Sequence, residues 1–241
     1  MAHIHSGRDL FVQEMRQTGI DVSRETRDRL EAMAHNLVRW NKAINLVGKA
    51  TLEEIWTRHI LDSAQLQPLV PAKAKKLVDL GSGAGFPGLV IAALRPEIEV
   101  TLIESDARKA AYLGEAARRM ELSTPPRIVV GRIEAVAPAE AEIVTARALA
   151  PLGKLLELAE RHRADTAICL FHKGKGWQAE LTEALKDWDI PGQPFASVTD
   201  LDAVILRVGA YKRKGAAPAQ AAAAVRRSQS KGRRRQDDDG D

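Results

Sequence analysis

Leu77-Val78-Asp79-Leu80-Gly81-Ser82-Gly83-Ala84-Gly85-Phe86-Pro87-Gly88-Leu89 reads as a short apolar strand, a glycine-rich turn and the start of a helix. Glycines let such a turn take positive φ and let a ligand approach the backbone closely, and Pro87 has its φ preset for a first helical turn. The stretch fits a nucleotide-like ligand. A dinucleotide fingerprint wants glycine at positions 81, 83 and 86, but Phe86 occupies the last and the third glycine falls at 85, which disfavours a pyrophosphate.

Downstream, strand-like and helical runs alternate: strand 100–103, helix 107–120, strands 127–130 and 143–145, helix 151–159, strand 166–171, helix 178–188 and strands 195–198 and 203–208. This alternation predicts an α/β fold with a mostly parallel sheet covered on both faces and ligands at the carboxyl ends of its strands. The last two strands have no long helix between them, so they should form an antiparallel hairpin through Thr199 to Asp202 at the sheet edge. Upstream, residues 1–70 read as a helical extension. It begins around Leu10, Phe11 and Met15, continues through 23–46 with an apolar stripe at Leu30, Met33, Leu37, Trp40 and Ile44, and ends in a helix over 52–66 before Pro68 and Pro71. Trp40 is read as core rather than as a stacking platform.

The domain plan is therefore 1–70 helical, 71–211 α/β and 212–241 a disordered tail poor in apolar residues. The net charge of +4 resides in that tail, which carries nine Lys or Arg and four Asp, leaving 1–211 at −1. Any contact of the folded part with nucleic acid then needs a local patch, while the tail adds a salt-sensitive attraction to phosphate. Cys169 is the single cysteine, in an apolar run, which excludes an internal disulfide and a Cys-rich zinc site and points to a buried strand residue. No segment has the roughly 18 apolar residues of a membrane span and no leader is evident, so a cytoplasmic protein is expected.

The next two strand ends add candidate ligand groups. Glu104 closes the strand beside the glycine turn, where a carboxylate can accept hydrogen bonds from two ribose hydroxyls, although taken alone it is equally a capping or solvated residue. Gly131-Arg132-Ile133-Glu134 follows the third strand, where an adenine would lie against Ile133, and by itself it is equally an ordinary loop.

The sequence resembles the bacterial small-subunit ribosomal RNA (guanine-N7) methyltransferases, also called glucose-inhibited division protein B. The resemblance spans about residues 10–210 and rests on Trp40 to Leu46, Arg58-His59-Ile60-Leu61-Asp62-Ser63, Asp79 to Gly88, Arg147-Ala148-Leu149-Ala150 and Lys173-Gly174. It implies a Rossmann-like fold with a seven-stranded sheet. It also implies S-adenosylmethionine held by Gly81, Gly83, Gly85, Phe86, Glu104, Ile133, Glu134 and Arg147, and a guanine of 16S RNA, free or in the 30S subunit, as the methyl acceptor. Asn45, Arg58, His59, Asp62, Arg147 and Lys173, polar residues punctuating otherwise apolar segments, are the candidates to line or support the substrate pocket, while His59 and Asp62, three apart on a helix, read equally as a capped or paired surface. No general base and no metal are expected, and the chain should act as a monomer. The rival readings are a methyltransferase of another substrate, a nonenzymatic ribosome-binding factor and a nicotinamide-dependent oxidoreductase; Phe86 counts against the last.

Overall fold

The computed structural model describes residues 2–215, with side chains from residue 7 onward. Of the tail expected over 212–241, residues 216–241 lie outside the described residues. Helix α1 (Ala2–Gln17) buries Phe11 and Met15 but leaves Leu10 exposed, and Phe11 packs on Trp56 with ring centroids 5.5 Å apart. Helix α2 (Arg24–Trp40) starts at Ser23, whose side chain accepts from the Thr26 amide, and buries Leu30, Met33 and Leu37 on the predicted stripe. It stops at Trp40 rather than at residue 46. The Asn41 side chain accepts from the Leu46 and Val47 amides and donates to the Val47 carbonyl, and this local bonding replaces helical bonding. Trp40 is core-packed as read: its ring meets Tyr112 edge-on at 5.9 Å and its Nε1 donates to Glu115 at 3.0 Å.

The single helix expected over 52–66 is instead a relay of short turns: a 3-10 turn at Lys49–Thr51, a π-helix at Trp56–Leu61, α3 (Asp62–Ala64) and a 3-10 turn at Gln67–Leu69. A π-helical turn inside a helical segment is uncommon and recurs at functional sites. Here it carries Arg58 and His59.

Strands β1 (Lys76–Leu80), β2 (Glu99–Glu104), β3 (Arg127–Val130), β4 (Ala141–Arg147) and β5 (Arg163–Lys173) are parallel. Strand β6 (Trp188–Asp189) is followed by β7 (Gly192–Ala196) and β8 (Val204–Val208), and the seven-stranded sheet has the order β3-β2-β1-β4-β5-β8-β7. The expected hairpin is present, with β8 antiparallel to both β5 and β7. The short β6 pairs with β9 (Lys212–Arg213), so the ordered chain continues past the predicted boundary at residue 211.

Helices α4 (Gly88–Leu94) and α5 (Ala107–Arg119) cover one face of the sheet together with the N-terminal layer. Helices α6 (Leu152–Glu160) and α7 (Trp177–Asp187) cover the other, where Cys169 is fully buried in β5. Pro87 precedes α4 as its N-cap instead of opening its first turn. Strand order reverses at β1, which lies between β2 and β4, so the crevice at the carboxyl ends of β1 and β4 is where a ligand is expected. Among the described residues no helix is long and apolar enough to cross a membrane.

Candidate active site at the switch point

Two cavities open at that crevice. The first, of about 430 Å³, is lined by Gly81, Gly83, Glu104, Lys109, Gly131, Arg132, Ile133, Glu134 and the 148–150 segment, among others. Gly81 and Gly83 both hold left-handed φ, +66° and +52°. They differ in what surrounds them: a Cβ on Gly81 would come within 2.7 Å of the Leu149 side chain, whereas one on Gly83 would meet only the Gly81 carbonyl, at 3.8 Å. Gly81 thus lets the glycine turn and the 148–150 segment touch, and Gly83 leaves backbone open to the cavity. Gly85 packs on Leu89 and does not line the cavity.

Glu104 is buried, and its two oxygens accept from the Gly83 and Asp106 amides, each at 2.8 Å. The carboxylate therefore ties the glycine turn to the β2 end. Each oxygen has a second lone-pair direction left for a ligand hydroxyl. Ile133 supplies a buried apolar wall, and its carbonyl accepts from His162 Nε2 at 2.8 Å, which props the loop from behind. A buried carboxylate for hydroxyls, an apolar wall for a base and an uncovered glycine backbone make a set that fits S-adenosylmethionine.

Below the glycine turn, Asp79 is buried at the end of β1. Its Oδ1 accepts from the Thr145 hydroxyl at 2.7 Å, and its buried Oδ2 has no hydrogen-bond partner among the described residues. Burial pushes its carboxyl up to about 6, against the hydrogen bonds that favour its charge.

The second cavity, of about 500 Å³, runs across the carboxyl ends of β4 and β5 and is lined by Asp62, Arg147, Ala148, Leu149, Ala150, His172, Lys173, Glu180 and Ser197, among others. Ala148, Leu149 and Ala150 line both cavities, so this segment is the partition between them. Arg147 donates to the Arg58 carbonyl at 3.2 Å, to Asp62 at 3.0 Å and to His59 Nδ1 at 2.9 Å, and its guanidinium lies 5.0 Å from the Phe86 ring centre. The His59 ring stacks on Phe86 at 5.1 Å. Guanidinium has no acceptor, so His59 Nδ1 carries the lone pair and Nε2 the proton, directed at the Thr51 hydroxyl 2.9 Å away. Burial, reinforced by Arg147, lowers the His59 pKa to about 4, so the ring is neutral at pH 7.

Of the residues singled out in the sequence, Gly81, Gly83, Glu104, Ile133 and Glu134 come together around the first cavity, and Asp62 and Lys173 around the second. Arg147, grouped with the cofactor by resemblance and also offered for the substrate pocket, lines the second cavity and not the first. Phe86 lines neither and packs against buried His59 and half-buried Arg147. Arg58 is exposed and pairs with Asp200 at 3.5 Å, and Asn45 is exposed in the turn after α2. Sequence reasoning missed Thr145, His172 and Glu180. His172 donates to the Asp62 carbonyl at 2.7 Å, and its place one residue before Lys173 on a strand end is the signal that was available.

A profile of the family described as rRNA small subunit methyltransferase G matches residues 26–204. Ribosomal RNA small subunit methyltransferase G of Paramagnetospirillum magneticum is 50% identical over 197 residues, which cover 82% of this chain and 95% of the relative. The protein of the same name from Cereibacter sphaeroides is 43% identical over 204 residues, covering 83% and 98%. The crystal structure of ribosomal protein L11 methylase from Lactobacillus delbrueckii subsp. bulgaricus superposes with a TM-score of 0.52 at 13% identity, over 64% of this chain and 78% of that one, a likeness of fold alone. With most of its length matched by the family profile and by relatives of nearly the same extent, the chain belongs to the rRNA small subunit methyltransferase G family.

Proposed function

We propose that this chain is an S-adenosylmethionine-dependent methyltransferase of small-subunit ribosomal RNA that modifies N7 of a guanine in 16S RNA. The observation that carries this reading is the pair of cavities sharing the 148–150 partition at the switch point. Direct transfer requires N7 to touch the cofactor methyl, so donor and acceptor would meet past an edge of the 148–150 segment that both cavities share, not across it.

On the donor side, Glu104 would hold the ribose hydroxyls, Ile133 and Glu134 would flank the adenine, and Gly81 and Gly83 would offer backbone to the rest of the cofactor. Gly85, Phe86 and Arg147 would act behind them as support. When bound, S-adenosylmethionine supplies an electrophilic methyl group on a sulfonium. On the acceptor side, Asp62 and Lys173 would face the target base, with Arg58 and His59 behind Arg147 and with Asn45 on the approach to the cavity. Guanine N7 has a lone pair and no proton, so no side chain has to remove one. The His59 lone pair is already committed to Arg147. The residues therefore act by orientation, which contributes roughly 7–11 kcal/mol when reacting atoms are held in near-attack geometry. The chain is further proposed to act as a monomer in the cytoplasm, on naked 16S RNA or on the 30S subunit.

The test is transfer of labelled methyl from S-adenosylmethionine to 30S subunits taken from cells lacking this protein, followed by mass spectrometry of the digested RNA. A single 7-methylguanosine is the expected product. No transfer to subunits or to naked 16S RNA, with cofactor binding intact, would redirect the search to another acceptor.

A further inference from the structure

The partition between the cavities is poorly held by its own backbone. Ala148 takes φ +51°, a left-handed conformation that costs a residue with a Cβ roughly 1–2 kcal/mol. Pro151, the N-cap of α6, makes no side-chain cap, so the first amides of that helix need partners from elsewhere. Both needs are met from α7 and from the end of β5. Glu180 accepts from the Leu152 amide at 2.9 Å, supplying the missing cap and placing a negative charge at the α6 N-terminus. Lys173 donates to the Ala150 carbonyl at 3.0 Å and pairs with Glu180 at 2.6 Å. Lys173 is only 7% exposed, and Glu180 is the carboxylate paired with it there. Leu149, immediately before the two tethers, is the side chain that packs on Gly81.

We infer that Glu180, acting with Lys173, is a positioning residue that clamps the 150–152 turn and thereby sets the shape of the cofactor cavity from the far side of its wall. Glu180 lines the second cavity and not the first, so an effect on the cofactor must pass through the partition. The inference rests on the cofactor placement proposed above. Removing the carboxylate frees the Leu152 amide, strands the Lys173 charge and releases the segment that carries Leu149 and Ala150 into the cofactor cavity. Conversion to glutamine retains an oxygen that can accept from the Leu152 amide and from Lys173 Nζ, and loses the counter-charge.

The experiment is isothermal titration of S-adenosylmethionine into wild type, Glu180→Ala and Glu180→Gln without RNA, well below the melting temperature of each, with folding checked by circular dichroism. The Kd for the cofactor should rise about tenfold in Glu180→Ala, the equivalent of about one lost hydrogen bond, and stay within about threefold in Glu180→Gln. A loss of stability alone moves the melting temperature and leaves this Kd and its rescue by glutamine untouched. A folded Glu180→Ala protein with wild-type cofactor affinity overturns the inference, even if its KM for 30S subunits rises, because that pattern marks direct contact with the target base. Wild type that does not bind S-adenosylmethionine overturns the cofactor placement and this inference together.

Discussion

Acidification sets two buried groups of this protein against each other, and single substitutions should separate them. His59 is held neutral by burial and by Arg147, with its pKa lowered from 6.5 to about 4. As the pH falls below 6.5 the unfolded chain takes up a proton at this residue and the folded chain does not, so folding loses up to about 3 kcal/mol by pH 4. Asp79 has the opposite sign. Burial raises its carboxyl from 3.8 to about 6, so the folded chain takes up the proton first and gains up to about 3 kcal/mol as the pH falls through the same window. In the wild type the two contributions nearly cancel.

Urea unfolding at pH 7 and at pH 4.5 reads the difference. Asp79→Asn keeps the His59 loss and forgoes the compensating gain, so acidification should cost it about 2 kcal/mol more than it costs wild type. His59→Asn, which retains an acceptor for Arg147, should lose about 2 kcal/mol less than wild type over the same interval. Carboxylates paired at the surface, such as Glu97 with Arg95, add the same acid sensitivity to all three proteins and drop out of the comparison. If both variants parallel the wild type between these pH values, Asp79 is not a protonated buried acid and His59 is not a neutral buried base, and the account of the site's charge is wrong.

Glu104→Ala should lower stability before any ligand is considered, because the Gly83 and Asp106 amides each lose a buried acceptor at about 1–3 kcal/mol. A thermal melt by circular dichroism should fall by at least several degrees, and an unchanged melt would remove the structural half of this residue's role. Gly81→Ala and Gly83→Ala both force a left-handed φ on alanine, but only the first drives a methyl group into Leu149. Gly81→Ala should therefore be less stable than Gly83→Ala by about 1–3 kcal/mol in urea titration, and equal stability would show that the partition yields freely.

The alternation of strands and helices was legible because each run matched one period and ended at a glycine, a proline or a polar residue. The glycine turn with Glu104 and Ile133 was legible for the same reason, since all three lie at or just past the ends of strands that could be recognised. The segment between Asn41 and Leu69 was not. Its hydrophobic spacing suits a helix, but the Asn41 side chain captures the Leu46 and Val47 amides. The Ser63 hydroxyl donates back to the His59 carbonyl at 2.7 Å, where the π-helix gives way to α3. Side chains competing locally for backbone groups leave no trace in hydrophobic periodicity.

The placement of Arg147 was open to a different argument, the twofold period of its own strand. Along β4, Ile143 belongs to the core under the N-terminal layer, while Val144 and Ala146 belong to the core under α6 and α7. Arg147 has the parity of Ile143 and Thr145, so its side chain faces the N-terminal layer. Along β5, Ile168 and Leu170 lie on that same side and carry His172 with them, whereas Cys169 and Phe171 carry Lys173 to the other. Arg147 and His172 are register partners, so the two strand ends present an Arg and a His on one face and a Lys on the opposite one. The extension before the sheet then has a definite task. Its π-helical turn supplies the Arg58 carbonyl and His59, and the α3 that follows supplies Asp62, all three bonded to Arg147 where the second cavity begins. Without that layer the guanidinium would hang from the end of β4 with solvent as its partner, and the wall opposite Lys173 and Glu180 would be missing.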